Sequence, residues 1–129
     1  MIEFRYDHVH LRSPNPESTA RFYVDVLGAS DAGSAHVRGV LRRIVELGGL
    51  KIFIEEVPAT TPFPPPAPFM GLEHIAFSVN DIDAAAAKLT EHGVPLIGGI
   101  ERVRPGVRIA FIEGPERVRI EMIERKPVS

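Results

Sequence analysis

The chain has 129 residues, enough for one domain with its own core, and it is 44% hydrophobic and 25% charged with a net charge of −2. That balance offers no broad basic field for gripping phosphate backbones, so a small-molecule ligand is expected and a nucleic-acid partner is not. The absence of cysteine excludes disulfides and thiolate zinc sites, which leaves histidine and carboxylate as the groups able to hold a metal tightly.

The chain opens without a basic stretch leading into an apolar one, and no segment nears the length that crosses a bilayer; a cytoplasmic protein with no membrane partner is expected. The first predicted strand is Tyr6-Asp7-His8-Val9-His10-Leu11. Asn15 then stands as N-cap to a helix from Pro16 to Leu27, with Gly28 in the position that stops it. Strand-like runs follow over residues 37–47 and 50–57, turning at Gly48-Gly49, and His36 falls in a predicted loop. Residues 59–71 contain Pro62, Pro64, Pro65, Pro66 and Pro68, a semi-rigid connector that could also cover a pocket.

The second half repeats the first. Leu72-Glu73-His74-Ile75-Ala76-Phe77-Ser78 is a strand, Asp81 an N-cap, and Ala84 to Ala87 a strong helix-forming run that ends at His92-Gly93. His92 is then placed to meet the helix dipole. Runs at 94–103, 107–113 and 118–124 complete it, with Gly114-Pro115 turning the last hairpin. His8 and His74 lie 66 positions apart, and the same offset pairs Asn15 with Asp81. The prediction is an α+β fold of two tandem β-α-β-β-β modules, residues 4–58 and 72–126, in a single domain spanning 1–129.

Four segments carry a resemblance that covers nearly the whole chain: Asp7-His8-Val9; the helix end Ala20-Arg21-Phe22-Tyr23-Val24-Asp25-Val26-Leu27-Gly28; Glu73-His74-Ile75-Ala76-Phe77 with Asp81-Ile82-Asp83; and Val118-Arg119-Ile120-Glu121-Met122-Ile123. In this order they resemble the vicinal oxygen chelate superfamily, which includes glyoxalase I, methylmalonyl-CoA epimerase, fosfomycin-resistance transferases, extradiol dioxygenases and bleomycin-resistance proteins. The resemblance implies mixed sheets curled around a cleft, with metal ligands on the inward faces of the first and last strands of the modules. Carried over residue by residue, it names His8, His74 and Glu121 as ligands of a divalent ion (Zn, Mn, Fe, Co or Ni). It also implies a homodimer.

Strand alternation agrees with that set, since His8, His10 and Arg12 share one face, as do His74, Ala76 and Ser78, and Arg119, Glu121 and Ile123. A carboxylate at Glu121 among apolar neighbours needs a cation. The chain departs from the four-ligand pattern of glyoxalase I and the epimerase because Phe53 stands where the fourth ligand would be. The three that remain resemble the fosfomycin-transferase and dioxygenase sets. A slip or bulge could turn Glu55 or Glu56 inward, and His10 is a further candidate.

Of these, His10 and Glu55 are the candidate general bases. Arg119 is the candidate for binding an anionic substrate group, with Lys51 at the matching parity in the first copy. Arg102, Arg104 and Arg108 around the Pro105-Gly106 turn are either a second anion receptor or a solvated rim. Two function classes follow: a metal-dependent lyase, isomerase, transferase or dioxygenase acting on a substrate with vicinal oxygens, or a metal-free binding protein of the bleomycin-resistance type.

Overall fold

A computed structural model describes residues 1–128 and resolves the chain into two compact units, Met1–Pro62 and Phe63 onward. In the first unit the elements are β1 (His8–Ser13), α1 (Pro16–Asp25), β2 (Ser30–Val37), β3 (Val40–Leu47) and β4 (Leu50–Glu56). The second contains β5 (Ile75–Ser78), α2 (Ile82–Glu91), β6 (Ile97–Arg104), β7 (Val107–Glu113), a short 3-10 turn (Pro115–Arg117) and β8 (Arg119–Arg125). Each unit forms a four-stranded mixed sheet, in the orders β1-β4-β3-β2 and β5-β8-β7-β6. The two orders are the same order, with the first strand parallel to the last and the remaining pairs antiparallel.

The predicted caps form. The Asn15 side chain accepts the Ser18 amide at 3.1 Å, and Asp81 accepts that of Ala84 at 3.0 Å, each satisfying one orphan donor of a helix N-terminus. Gly93, at φ 73°, follows the α2 C-cap His92 in the left-handed conformation that ends helices. In the first unit Ala20 and Tyr23 of α1 meet Val45, Ile52 and Ile54 of β3 and β4, none of them more than 1% exposed. The second core is built the same way from Ile82, Leu89, Ala110, Ile112, Ile120 and Met122.

The structure corrects the sequence reading at β2. Residues 37–47 are not one run: Arg38 and Gly39, at φ 53° and 79°, make a tight turn between two hairpin strands. His36 therefore lies on a strand rather than in a loop, although it is exposed. Ser30–Val37 has no buried face because it is an edge strand, held by its main-chain ladder to β3.

On β8 alternation buries Ile120, Met122 and Glu124 toward α2. Glu124 is 3% exposed and receives the Ile82 amide at 2.9 Å, so its carboxylate sits on the positive end of α2. Arg108 reaches the same carboxylate at 3.0 Å and Asp83 at 2.8 Å. Arg108 is thus an internal counterion and leaves the group of turn arginines that could receive a ligand. No helix is long and apolar enough to cross a membrane among the described residues.

Candidate metal centre

In the second unit the parallel pairing of β5 with β8 sets Ala76 opposite Glu121, and His74, just before β5, reaches across to the same carboxylate. His74 Nε2 lies 3.2 Å from Glu121 Oε1, and Glu121 is 87% shielded because its side chain is 13% exposed. The other ring nitrogen, Nδ1, is taken by Glu73. That hydrogen bond, ahead of the charge of Arg119, holds the Glu73 carboxyl below its ordinary value. Phe111 of β7 closes the side, its ring centroid 5.3 Å from that of His74 and edge-on to it. The Arg119 guanidinium lies 4.2 Å from the centroid of Phe111 and 3.5 Å from Glu73.

This geometry leaves a proton unaccounted for. A neutral imidazole has one N–H, and carboxylates face both nitrogens of His74. If Nδ1 donates to Glu73, Nε2 presents a lone pair to the oxygen of Glu121, and the pair is attractive only with a cation between them: a proton or a metal. Two ligands at about 2.1 Å from one ion, at angles of about 90 to 110°, stand about 3.0 to 3.4 Å apart. The observed 3.2 Å lies inside that range.

The first unit repeats half of this arrangement. Asp7 Oδ2 accepts from His8 Nδ1 at 2.6 Å, which lowers the Asp7 pKa and leaves Nε2 of His8 as the free donor atom. At the position equivalent to Glu121 stands Phe53, which faces His10 across β1 and β4 as Glu121 faces Ala76. Its ring is stacked on His8, centroids 4.0 Å apart and planes 17° from parallel.

Glu55 needs no bulge to share the His10 face, contrary to the sequence reading. It is two residues beyond Phe53 on a regularly paired strand, opposite Arg12. His10 Nε2 lies 2.8 Å from Glu55 Oε1 and the Arg12 Nε 3.4 Å from the same oxygen. The hydrogen bond from His10 is the main reason the Glu55 carboxyl titrates low. Glu56 is exposed, opposite Ser13.

Of the named ligands, then, the second unit gathers His74 and Glu121, while His8 lies against Phe53 in the first. Among the described residues no three or more histidine and acidic side chains form a cluster ready to hold a metal. Sequence reasoning missed the roles of Asp7 and Glu73, although the signal was present: an acid precedes the histidine in both copies. The proline stretch, read from the sequence as a connector that could also cover a pocket, lies against the second unit. Pro64, Pro65, Pro66 and Phe69 wall a pocket of about 330 Å³ that reaches Glu73 and Arg119, and Phe63 stacks on the Arg117 guanidinium at 4.4 Å.

Two copies of one β-α-β-β-β unit, each presenting an acid-oriented histidine at its first strand, define a paired-module protein of the glyoxalase type. The chain belongs to the Glyoxalase/Bleomycin resistance protein/Dioxygenase superfamily, whose model matches residues 5–122. It is 30% identical to the protein YaeR of Escherichia coli (strain K12) over 129 residues, covering 92% of this chain and 94% of that one. A glyoxalase family protein from Enterococcus faecalis superposes with a TM-score of 0.79 at 26% identity, with 93% of this chain and 97% of that one covered. The fold is also that of the fosfomycin resistance protein FosX from Listeria monocytogenes, solved with Mn(II) and sulfate, at a TM-score of 0.70 and 18% identity over 98% of this chain and 95% of that one.

Proposed function

We propose that this chain is a divalent-metal-dependent enzyme acting on a small substrate that presents two neighbouring oxygens, with His74, Glu121 and His8 as the metal ligands. His8 comes from the same chain or from a second copy in a homodimer. The observation that carries the reading is His74 held between two carboxylates, since a cation at Nε2 is what makes that arrangement favourable. The Mn(II) in the structure of FosX is consistent with it.

Imidazole and carboxylate suit Zn, Mn, Fe, Co and Ni alike. A bound ion of this kind supplies positive charge for an oxygen that becomes negative during reaction. The protein does the rest. Glu73 and Asp7 fix the rings of His74 and His8 so that Nε2 is the donor atom. His10 directs its Nε2 proton to Glu55, which leaves Nδ1 to accept a proton from substrate as a general base. Arg119, stacked on Phe111, offers its guanidinium to an anionic substrate group at the edge of the pocket beneath the proline stretch.

Elemental analysis of untagged protein beside His74→Ala and Glu121→Ala tests the reading. Near-stoichiometric metal in the parent, lost from both variants, is expected; a parent that takes up no metal after supplementation overturns it. A second reading, a metal-free binding protein, draws on the flat stacking of His8 on Phe53 and on the proline-walled pocket. It predicts undiminished ligand binding after chelation. Sedimentation giving a monomer mass would overturn the dimer.

A further inference from the structure

The first unit holds another concavity, about 430 Å³, into which Arg12, Arg38 and Arg42 converge beside the His10–Glu55 pair. Its one carboxylate is already committed, with His10 at 2.8 Å and Arg12 at 3.4 Å on a single Glu55 oxygen. Arg42 stands opposite Glu55 across the β3–β4 pair, yet neither it nor Arg38 makes an ion pair among the described residues. The contrast with the next residue is instructive. Arg43, on the opposite face of β3, is matched by Asp31 at 2.8 Å and Glu17 at 3.5 Å. Arg42 has the Phe53 ring 5.4 Å from its guanidinium carbon in place of an ion pair, and its Nε, like that of Arg43, is closed off from solvent without a hydrogen-bond acceptor.

A shielded guanidinium N–H without an acceptor is unfavourable, and two unmatched cations around one concavity repel each other. Arg38 adds a second anomaly. It occupies a left-handed position, φ 53°, in a two-residue hairpin turn where glycine or asparagine is the comfortable choice. Nothing in the packing of an exposed turn asks for arginine there.

We propose that this pocket is an oxyanion site, taking a carboxylate, phosphate or phosphonate group of a small molecule, with Arg42 and Arg38 as its primary donors. Arg42 approaches from the sheet floor and Arg38 from the hairpin lip, so an anion between them receives charge-assisted hydrogen bonds from both sides. The His10–Glu55 pair borders the pocket, which would put the anionic group within reach of a side chain able to exchange a proton with it. The site uses none of the proposed metal ligands and does not depend on that reading.

The test is calorimetric and NMR titration of the full chain, stripped of metal on a chelating resin, with inorganic phosphate and separately with malonate. Saturable one-to-one binding of either is expected, with amide shifts confined to β1, β3, β4 and the Arg38-Gly39 turn. Phosphate alone or malonate alone identifies the class of anion. Arg42→Gln should weaken binding about tenfold or more, the usual effect of losing a hydrogen bond to a charged group. Arg38→Gly, which suits the backbone and so keeps the fold, should also weaken it, while Arg21→Gln on the exposed side of α1 should leave it unchanged. No saturable binding of either probe, or equal weakening by Arg21→Gln, overturns the proposal.

Discussion

Replacing Phe53 by glutamate would make the first unit chemically equivalent to the second, because Phe53 faces His10 just as Glu121 faces Ala76. The substitution removes a half-buried ring that stacks on His8 at 4.0 Å, touches His10 edge-on at 6.5 Å and lies under Arg42 at 5.4 Å. Full burial of a phenylalanine is worth about 3 to 5 kcal/mol against alanine, so a half-exposed one should lose roughly 2 kcal/mol, less whatever the new carboxylate recovers from Arg42. The metal should move the other way. Structural zinc sites gain about 10 to 16 kcal/mol from four ligands, or roughly 3 kcal/mol each before desolvation, which translates to tenfold to a hundredfold tighter binding from one added carboxylate. At a hundredfold excess over Kd the ion adds about 2.7 kcal/mol of stability, enough to offset the lost packing. Competition against a chromophoric chelator gives the affinity, and urea melts with and without metal give the stability. A variant that melts cooperatively yet binds metal no more tightly than the parent would show that the Phe53 position does not face the ion.

Glu73→Gln and Asp7→Asn should each weaken metal binding about tenfold to a hundredfold without removing a ligand, as outer-shell partners do; unchanged affinity in the same competition assay would end that role. Glu124 contributes to a pH profile. Its folded pKa is depressed, first by the Ile82 amide and then by Arg108, so its stabilisation is present above the ordinary value of 4.5 and is lost as pH falls through the folded pKa. Glu124→Gln should therefore flatten the acid limb of the stability curve in urea melts, and an unchanged limb would contradict the assignment. Ile52→Ala and Ile120→Ala, both at 0% exposure on equivalent last strands, should each cost about 2 to 5 kcal/mol. Gly106→Ala should also destabilise, since its Cβ would lie 2.4 Å from the Lys126 carbonyl oxygen at a φ of 77°.

Much of the fold was legible because its signals are local. Asn15 and Asp81 act as caps, Gly28 and Gly93 adopt positive φ after the helices, and the apolar residues of β4, β7 and β8 alternate into the core. The strand over Ser30–Val37 was not legible, because an edge strand with both faces exposed requires no hydrophobic pattern. The orientation of Glu55 was misjudged for a simpler reason. Residues of like parity share a face, so it already lay beside Phe53, and only strand register shows that its partner is His10.

The sequence by itself determined the paired β-α-β-β-β modules, the recurrence of an acid and a histidine at the head of each, and Phe53 in the place of a second glutamate, since all of these are matters of order and spacing along the chain. Only the tertiary structure decided which charges are spent and which are free. Arg108 and Glu124 neutralise each other, and Glu124 caps α2; Arg43 is matched by Asp31 and Glu17; Arg42, one residue away, faces Glu55 across the strand pair without forming an ion pair. Electrostatic pairing acts across a few ångströms of space between strands and helices distant in sequence, so it depends on register and packing that residue order alone does not reveal.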